Sequence, residues 1–170
     1  MVVEADLSRA DHQAVVLDLT SAYAADPMGA GRPLPEAVRE RVIPGLRAAP
    51  NTKVFLAYVG GEAVGLATCF IGFSTFHARP LLNIHDLAVL ASARGHGVGR
   101  ALLAAVEEEA RELGCCKVTL EVNERNERAH DLGGAREEGG DAHRHPSVLA
   151  KKSAPPVGPS APACTNPAVR

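Results

Sequence analysis

The sequence predicts an α/β fold of the α+β kind, with a mostly antiparallel central sheet flanked by helices. Two observations predict it. Segments 53–59 and 62–73 read as strands and are separated by Gly60-Gly61, as in a β-hairpin. Segment 81–122 contains an apolar run, a helical repeat and an alternating run, which indicates a strand–helix–strand crossover.

The N-terminal part supplies a first strand and two helices. Val2–Glu4 can form a short strand, and residues 11–25 carry apolar residues at helical spacing. Residues 35–49 form a second predicted helix, with Pro35 suited to its first position. Pro44 predicts a kink or an early end of this helix.

A third helix is predicted from residue 97 to residue 113. Its apolar stripe consists of Leu102, Leu103, Val106, Ala110 and Leu113. Gly114 is well placed as the residue after the helix end. Residues 116–122 then alternate as a half-buried strand.

Length and charge predict one domain with a tail and exclude several classes of partner. The 170 residues carry a formal net charge of −2, which argues against nucleic-acid binding and against attraction to anionic membranes. No segment approaches the roughly 18 apolar residues needed to cross a bilayer. The first residues also lack the basic start of a signal peptide. We therefore expect a cytoplasmic protein, and the oligomeric state stays open, with a homodimer as one alternative.

The cysteines and histidines do not indicate a metal site or a disulfide framework. The cysteines, which lack C-x-x-C spacing, are Cys69, Cys115, Cys116 and Cys164. His143 and His145 have no carboxylate or thiol at suitable spacing. We expect no metal.

A glycine-rich turn, Arg94-Gly95-His96-Gly97-Val98-Gly99, joins the apolar run to the third helix. Unpaired N–H groups at a helix N-terminus, together with the helix dipole, favour a phosphate group there. A tight connecting turn is the simpler alternative, but it needs fewer glycines. The P-loop pattern fails because Arg100 and Ala101 follow Gly99. The dinucleotide fingerprint fails because its third glycine position holds Arg100 or Leu102.

The pattern that fits the turn is R-x-x-G-x-G, preceded by Ile84-His85-Asp86-Leu87-Ala88-Val89 and followed by an Ala/Leu-rich helix. Together these segments resemble the acetyl-CoA-binding motif of the GNAT superfamily of N-acetyltransferases. Phe73-Ser74-Thr75-Phe76 and Arg79-Pro80 extend the likeness to its diamine-acetyltransferase-like branch. The resemblance covers residues 1–132 by order of elements and residues 70–126 by motif.

This resemblance implies acetyl-CoA as the co-substrate. In the family the loop amides and the helix N-terminus bind the pyrophosphate of coenzyme A. The pantetheine arm runs along the preceding strand, which splays from the next one to admit it. A backbone N–H near residues 87–89 is implied to meet the acetyl carbonyl. The implied contacts are Leu87, Ala88, Val89, Arg94, Gly95, His96, Gly97, Val98, Gly99, Arg100 and Asn126. His96 and Arg100 can complement a phosphate, or they can be ordinary solvated residues at a helix start.

His85 and Asp86 are the candidate catalytic residues. His85 stands where similar diamine acetyltransferases carry an acidic residue proposed as the base, and a neutral imidazole can act as a base near pH 7. The alternative is a hydrogen-bonded strand histidine without a catalytic part. Asp86 matches an acidic position common in the family, and a structural role is favoured for it. Adjacent strand residues point to opposite faces, so we expect only one of the two to face the cleft.

The resemblance weakens near residue 132. Asn126, Ala129 and Leu132 match the family, but Gly133 stands where the family commonly has a tyrosine that acts as general acid. Residues 133–170 are rich in Gly, Pro and Ala and hold no aromatic residue, so we expect a disordered tail with the last strands of the fold missing. A natural tail and a change of reading frame near residues 129–133 both fit. The abrupt end of the match favours the second.

The sequence therefore predicts an acetyl-CoA-dependent N-acetyltransferase that acts on a primary amine of a small molecule or amino-acid-like acceptor. The alternative is a coenzyme A-binding domain that is catalytically impaired or non-catalytic, because its C-terminal part is altered.

Overall fold

The computed structural model describes residues 1–123 and 148–153. The strands are β1 (Val2–Glu4), β2 (Thr52–Val59), β3 (Glu62–Ser74), β4 (Arg79–Val89), β5 (Val118–Asn123) and β6 (Val148–Ser153). The helices are α1 (Ala10–Ala25), α2 (Glu36–Ala48) and α3 (Val98–Glu112), with a short 3-10 turn at Ala91–Ala93. The strands form one sheet in chain order. β1 to β4 are antiparallel neighbours, whereas β5 runs parallel to β4 and β6 parallel to β5.

Helix α3 covers one face of the sheet. Its buried residues are Val98, Leu102, Leu103, Val106 and Ala110. They pack against sheet residues such as Leu82, Ile84 and Val118. The apolar stripe expected from the sequence is confirmed, with Leu113 only half-buried. Gly114 follows the helix with a φ of 66°, the left-handed conformation expected after a helix end.

Helices α1 and α2 cover the opposite face. Val16 and Leu19 of α1 and Ile43 of α2 pack against Leu56 and Leu66 of the sheet. Burying a side chain of this size contributes about 1.5–3 kcal/mol, so these contacts fix α1 against the middle strands.

Helix α2 continues through Pro44 to Ala48. The expected early end at Pro44 is therefore wrong. Proline removes one helical N–H donor, but Ile43 and Leu46 on either side pack into the cluster under α1 and hold the last turn in place.

The C-terminal part contributes a strand that the sequence does not predict. β6 pairs with β5 from Val118–Val148 to Asn123–Ser153. The expectation that residues 133–170 form only a disordered tail, with the final strands missing, is thus wrong for residues 148–153. An open strand edge with unpaired N–H and C=O groups accepts another extended segment, and this short segment occupies that position on β5.

Candidate active site

The candidate site lies at a gap in the sheet between β4 and β5. Among the described residues, the two strands pair at Leu82–Val118, Asn83–Thr119 and Ile84–Leu120. Beyond residue 84, β4 continues to Val89 beside β3, whereas β5 continues to Asn123 beside β6. The predicted splay of these two strands is confirmed, and it leaves one edge of residues 85–89 without a neighbouring strand among the described residues.

Backbone groups of Leu87 and Val89 point into this gap. The amide of Leu90 donates to the carbonyl oxygen of Val64 on β3 at 2.8 Å. Hydrogen-bonded pairs alternate with non-bonded pairs in an antiparallel ladder. Ala88 therefore bonds to β3, while Leu87 and Val89 turn their N–H and C=O groups away from it. Of the three implied contacts on this strand, Ala88 is thus the one whose amide cannot donate into the gap.

The glycine turn leads from the end of β4 to the start of α3. Gly95 and Gly97 have φ values of 82° and 78°, in the region that favours glycine. The first bond inside α3 runs from the Ala101 amide to the Gly97 carbonyl at 3.0 Å. The amides of residues 98–100 therefore have no acceptor within the helix. No atom lies within 4 Å of the position that a Cβ would occupy on Gly95 or Gly97, so the turn is open to a ligand.

The side chain of Arg94 is directed away from this turn. Its Nη2 lies 2.5 Å from Oδ2 of Asp26, at the end of α1, and its Nε donates to the Val89 carbonyl at 3.1 Å. His96 and Arg100 are exposed beside the turn, and Nδ1 of His96 lies 3.0 Å from the Arg94 carbonyl oxygen. The positive or ionisable side chains of the motif that lie near the open helix N-terminus are therefore those of His96 and Arg100. The side chain of Arg94 is not among them.

A β-bulge at His85 shifts the register between β3 and β4. Thr68 pairs with Asp86 and Cys69 pairs with Ile84, which leaves His85 as an extra residue on β4. A bulge breaks the two-residue alternation of side chains and redirects the residues beside it.

Asp86 lies on the face of the sheet that α1 covers. Ala88 and Leu90, which follow it at two-residue steps, pack in the cluster with α1 and α2. Burial raises the pKa of the Asp86 carboxyl, and the charge of His85 opposes this rise. Burial also raises the pKa of Tyr23 on α1, and the negative charge of Asp86 adds to that effect. Asp86 therefore holds a proton more readily than an ordinary aspartate.

His85 lies on the same face as Asp86. Cys69 packs in the cluster with α3, so the next residue, Phe70, points to the α1 face. The ring of the exposed His85 is 5.6 Å from that of Phe70, centroid to centroid, at an interplanar angle of 73°. The expected alternation of these two adjacent residues between opposite faces does not hold, because the bulge brings both side chains to the α1 side.

Three further residues surround this site without any motif that singles them out. Tyr23 lies near Asp86, the ring of Phe70 contacts the ring of His85, and Asp26 forms an ion pair with Arg94. In the sequence Asp26 only marks the end of a helix, and the two aromatic residues resemble ordinary core positions.

Several predicted features lie outside the described residues: Asn126, Gly133, His143 and His145. Within residues 1–123 and 148–153 no three His, Cys, Asp or Glu side chains are grouped so that they could hold a metal ion. No helix in the described part of the chain is long and apolar enough to cross a membrane.

A sheet that opens between two parallel strands, beside a glycine-rich helix N-terminus, is the arrangement that the resemblance to N-acetyltransferases implies. The model of the Acetyltransferase (GNAT) family matches residues 18–132. The chain belongs to this family.

Curated relatives and solved structures agree with this assignment. The chain is 38% identical over 81 residues to the aminoalkylphosphonate N-acetyltransferase of Salmonella typhimurium, covering 48% of this chain and 53% of that protein. It is also 38% identical over 81 residues to the glucosamine 6-phosphate N-acetyltransferase of Trypanosoma brucei brucei, covering 47% and 55%. The chain thus spans about half the length of these relatives.

Two solved structures show the same fold. A probable acetyltransferase superposes with a TM-score of 0.69 at 23% identity, over 82% of this chain and 91% of that one. An aminoglycoside acetyltransferase from an uncultured soil metagenomic sample superposes with a TM-score of 0.65 at 21% identity, over 83% and 91%. At these identities the likeness is one of fold alone.

Proposed function

We propose that the protein transfers an acetyl group from acetyl-CoA to a primary amine of a small molecule or amino-acid-like acceptor. One observation carries this proposal: the gap-facing backbone groups of Leu87 and Val89 lie on the strand that leads directly into the open glycine turn. The amides that can donate to a carbonyl oxygen and the glycine turn that can bind a phosphate are therefore only a few residues apart in the chain.

Coenzyme A binding depends mainly on backbone groups. The free amides of residues 98–100 and the N-terminal dipole of α3 favour the pyrophosphate. Gly95 and Gly97 let it approach closely because no Cβ stands in the way. His96 and Arg100 complement the phosphate charge from outside the turn, and the gap between β4 and β5 takes the extended pantetheine arm.

The chemistry depends on two groups of the chain. The N–H of Leu87 or Val89 donates to the thioester oxygen, where negative charge develops during attack, and such a preorganised donor contributes about 100-fold or more to rate. His85 accepts the proton that the attacking amine must lose, a contribution of about 100-fold or more for a general base. Its exposed position at the bulge leaves it open to an acceptor.

Asp86 acts beside His85 in another way. Its carboxyl group is half-buried and its pKa is raised by burial. When ionised, it supplies negative charge on the face where the acceptor arrives, which favours a cationic amine. We assign Asp86 to acceptor binding and to a structural role in the site. We assign the proton transfer to His85.

We assign the acceptor to the space between β4 and the segment that joins α1 to α2, as the family resemblance implies. Phe70 offers an aromatic ring there, and Asp86 offers a carboxyl group. The two named relatives act on amines that also carry a phosphonate or a phosphate group. Such compounds belong in the first acceptor panel, together with diamines and amino acids.

A coenzyme A-binding domain without transferase activity is the second candidate. The observation in its favour is Gly133, which replaces the tyrosine that the family commonly uses to protonate the leaving thiolate. This candidate predicts cofactor binding without turnover.

A thiol-release assay with an amine panel tests the proposal. Purified protein is mixed with acetyl-CoA and one amine at a time, and the free thiol of coenzyme A is followed with a chromogenic disulfide. Amine-dependent release above the no-amine rate is the expected result. Binding of acetyl-CoA without release for any amine supports the second candidate, and absence of binding contradicts both.

A further inference from the structure

The side chain of Arg94 connects three parts of the site. Its Nη2 is 2.5 Å from Oδ2 of Asp26, and its Nε donates to the carbonyl of Val89 at 3.1 Å. Arg94 begins the glycine turn, Val89 ends β4, and Asp26 ends α1. The guanidinium group of Arg94 therefore connects the glycine turn, strand β4 and the segment between α1 and α2.

Asp26 in turn shapes segment 26–32, the start of that connection. Its Oδ1 accepts a hydrogen bond from the Met28 amide at 2.8 Å. Its carbonyl oxygen accepts from the amides of Gly29 at 2.9 Å and Gly31 at 3.2 Å. A Cβ on Gly29 would lie 2.1 Å from the Tyr23 carbonyl, so the segment folds tightly onto the end of α1. The position of this segment depends on where Asp26 is held.

The contact between Arg94 and Asp26 is better shielded than an ordinary surface pair. The Asp26 side chain is 16% exposed and that of Arg94 is 40% exposed. The Arg9–Asp11 pair at the other end of α1 has a similar separation of 2.6 Å, but its side chains are 57% and 62% exposed. Exposed pairs contribute little because water screens them, so we expect the Arg94 pair to contribute more to local order than the Arg9 pair.

We propose that Arg94 is a positioning residue: through Asp26 it holds segment 26–32 over the acceptor side of β4 and links the order of this segment to acetyl-CoA bound at the glycine turn. The inference rests on the proposed function, which supplies the ligand. A ligand that fixes the backbone of residues 94–100 also fixes the base of the Arg94 side chain. Coupling between two sites is reciprocal, so an ordered segment must favour the ligand to the same extent.

This proposal differs from a role of Arg94 as a phosphate ligand. A phosphate ligand, when replaced by a neutral residue, weakens acetyl-CoA binding directly and leaves segment 26–32 unchanged. A positioning residue loosens the segment and changes the affinity only through the coupling. The two roles are separated by measuring both quantities on the same variants.

The experiment measures amide hydrogen exchange of residues 28–32 and acetyl-CoA affinity in wild type, Arg94→Gln, Asp26→Asn and the double variant. We expect each single change to speed exchange by about fivefold or more, which corresponds to the loss of about 1 kcal/mol, the contribution of a typical hydrogen bond. The double variant should exchange no faster than the faster single variant, because both changes remove one contact. Acetyl-CoA should slow the exchange in wild type and not in Arg94→Gln, while the dissociation constant changes by less than about threefold.

Arg9→Gln is the matched control, since it removes an ion pair of similar length from the exposed end of α1, and its exchange should equal that of wild type. Unchanged exchange in both single variants would overturn the proposal, as would a loss of affinity above about tenfold with unchanged exchange. If wild type does not bind acetyl-CoA, the proposed function and the link to acetyl-CoA both fail. The exchange of the unliganded variants still decides whether the Arg94–Asp26 contact holds segment 26–32 in place. If Arg94→Gln does not fold, the exchange of residues 29–32 in Asp26→Asn and wild type decides the same point, whereas residue 28 is left out because its amide bonds the Asp26 side chain directly.

Discussion

The ring of His85 lies edge to face against the ring of Phe70, with centroids 5.6 Å apart. This contact exists because the bulge on β4 turns His85 to the face of the sheet covered by α1. Edge-to-face aromatic contacts orient both rings. The imidazole therefore lies on the face of β4 that we assign to the acceptor. The same strand borders the gap that we assign to acetyl-CoA.

Replacing His85 with alanine should lower turnover by about 100-fold while leaving acetyl-CoA affinity within about twofold, because the variant loses the proton acceptor and keeps the phosphate turn. Turnover is measured by thiol release and affinity by calorimetry. His77→Ala is the control, since His77 is exposed in the turn between β3 and β4. Turnover of His85→Ala equal to that of the control would remove His85 from the mechanism.

The raised pKa of Asp86 predicts a stability that depends on pH. In the window between the ordinary carboxyl pKa of 3.8 and the raised value, the folded protein binds more protons than the unfolded chain. The free energy of unfolding therefore falls as pH rises through this window. Asp86→Asn removes the cost of burying an ionised carboxylate. The melting temperature of this variant should therefore exceed that of wild type by more at about pH 7 than at about pH 3.5.

Asp11→Asn provides the contrast for this measurement. The hydrogen bond from Arg9 lowers the pKa of Asp11 to about 2, so its contribution to stability is present above the unfolded pKa and is lost as pH falls through the folded value. Asp11→Asn should therefore not stabilise the protein at neutral pH. If the melting temperatures of Asp86→Asn and wild type change with pH in parallel, burial of the Asp86 carboxyl has no energetic consequence.

Gly97→Ala should lower acetyl-CoA affinity by about tenfold, because a methyl group then stands in the open turn. Gly61→Ala is its control. The two glycines have φ values of 78° and 88°, and no atom lies within 4 Å of the position that a Cβ would occupy on either. Both changes should cost about 1–2 kcal/mol of stability, from placing alanine in the left-handed region. Equal affinities of the two variants would contradict a ligand site at the turn.

Gly65→Ala should destabilise the protein by about 1–3 kcal/mol through overpacking. Its Cβ would lie 2.9 Å from the Ala88 carbonyl oxygen and 3.2 Å from side-chain atoms of Leu102 and Val98. Gly45 lies in the interior of α2, and apart from its chain neighbours and the backbone of its own helix no atom lies within 4 Å of the position that a Cβ would occupy. Gly45→Ala should therefore be neutral or stabilising by up to about 1 kcal/mol. Urea unfolding measures both, and equal stabilities would show that β3 and α3 can separate without cost.

Local patterns predict most of the architecture. The Gly60-Gly61 hairpin, the apolar stripe of α3 and the glycine after its end are each set by neighbouring residues, and each is confirmed. The glycine turn and the splay beyond Ile84 also agree with the family resemblance. The more specific likeness to diamine acetyltransferases and the roles of the site residues stay predictions.

Features that depend on distant partners are not predictable in this way. Nothing in the residues around His85 marks an extra residue, because the bulge is a property of the pairing with β3. Arg94 and Asp26 are 68 residues apart in the chain, so no local pattern links them. The helix continues through Pro44 because packing of its neighbours outweighs the missing donor.

Calorimetric titration of the whole chain with acetyl-CoA tests the central claim most directly. The glycine turn and the gap beside Leu87 and Val89 predict saturable binding of one molecule per chain, with lower affinity in Gly97→Ala and unchanged affinity in Gly61→Ala. Absence of binding up to about 1 mM acetyl-CoA, or equal loss in the two variants, would contradict it.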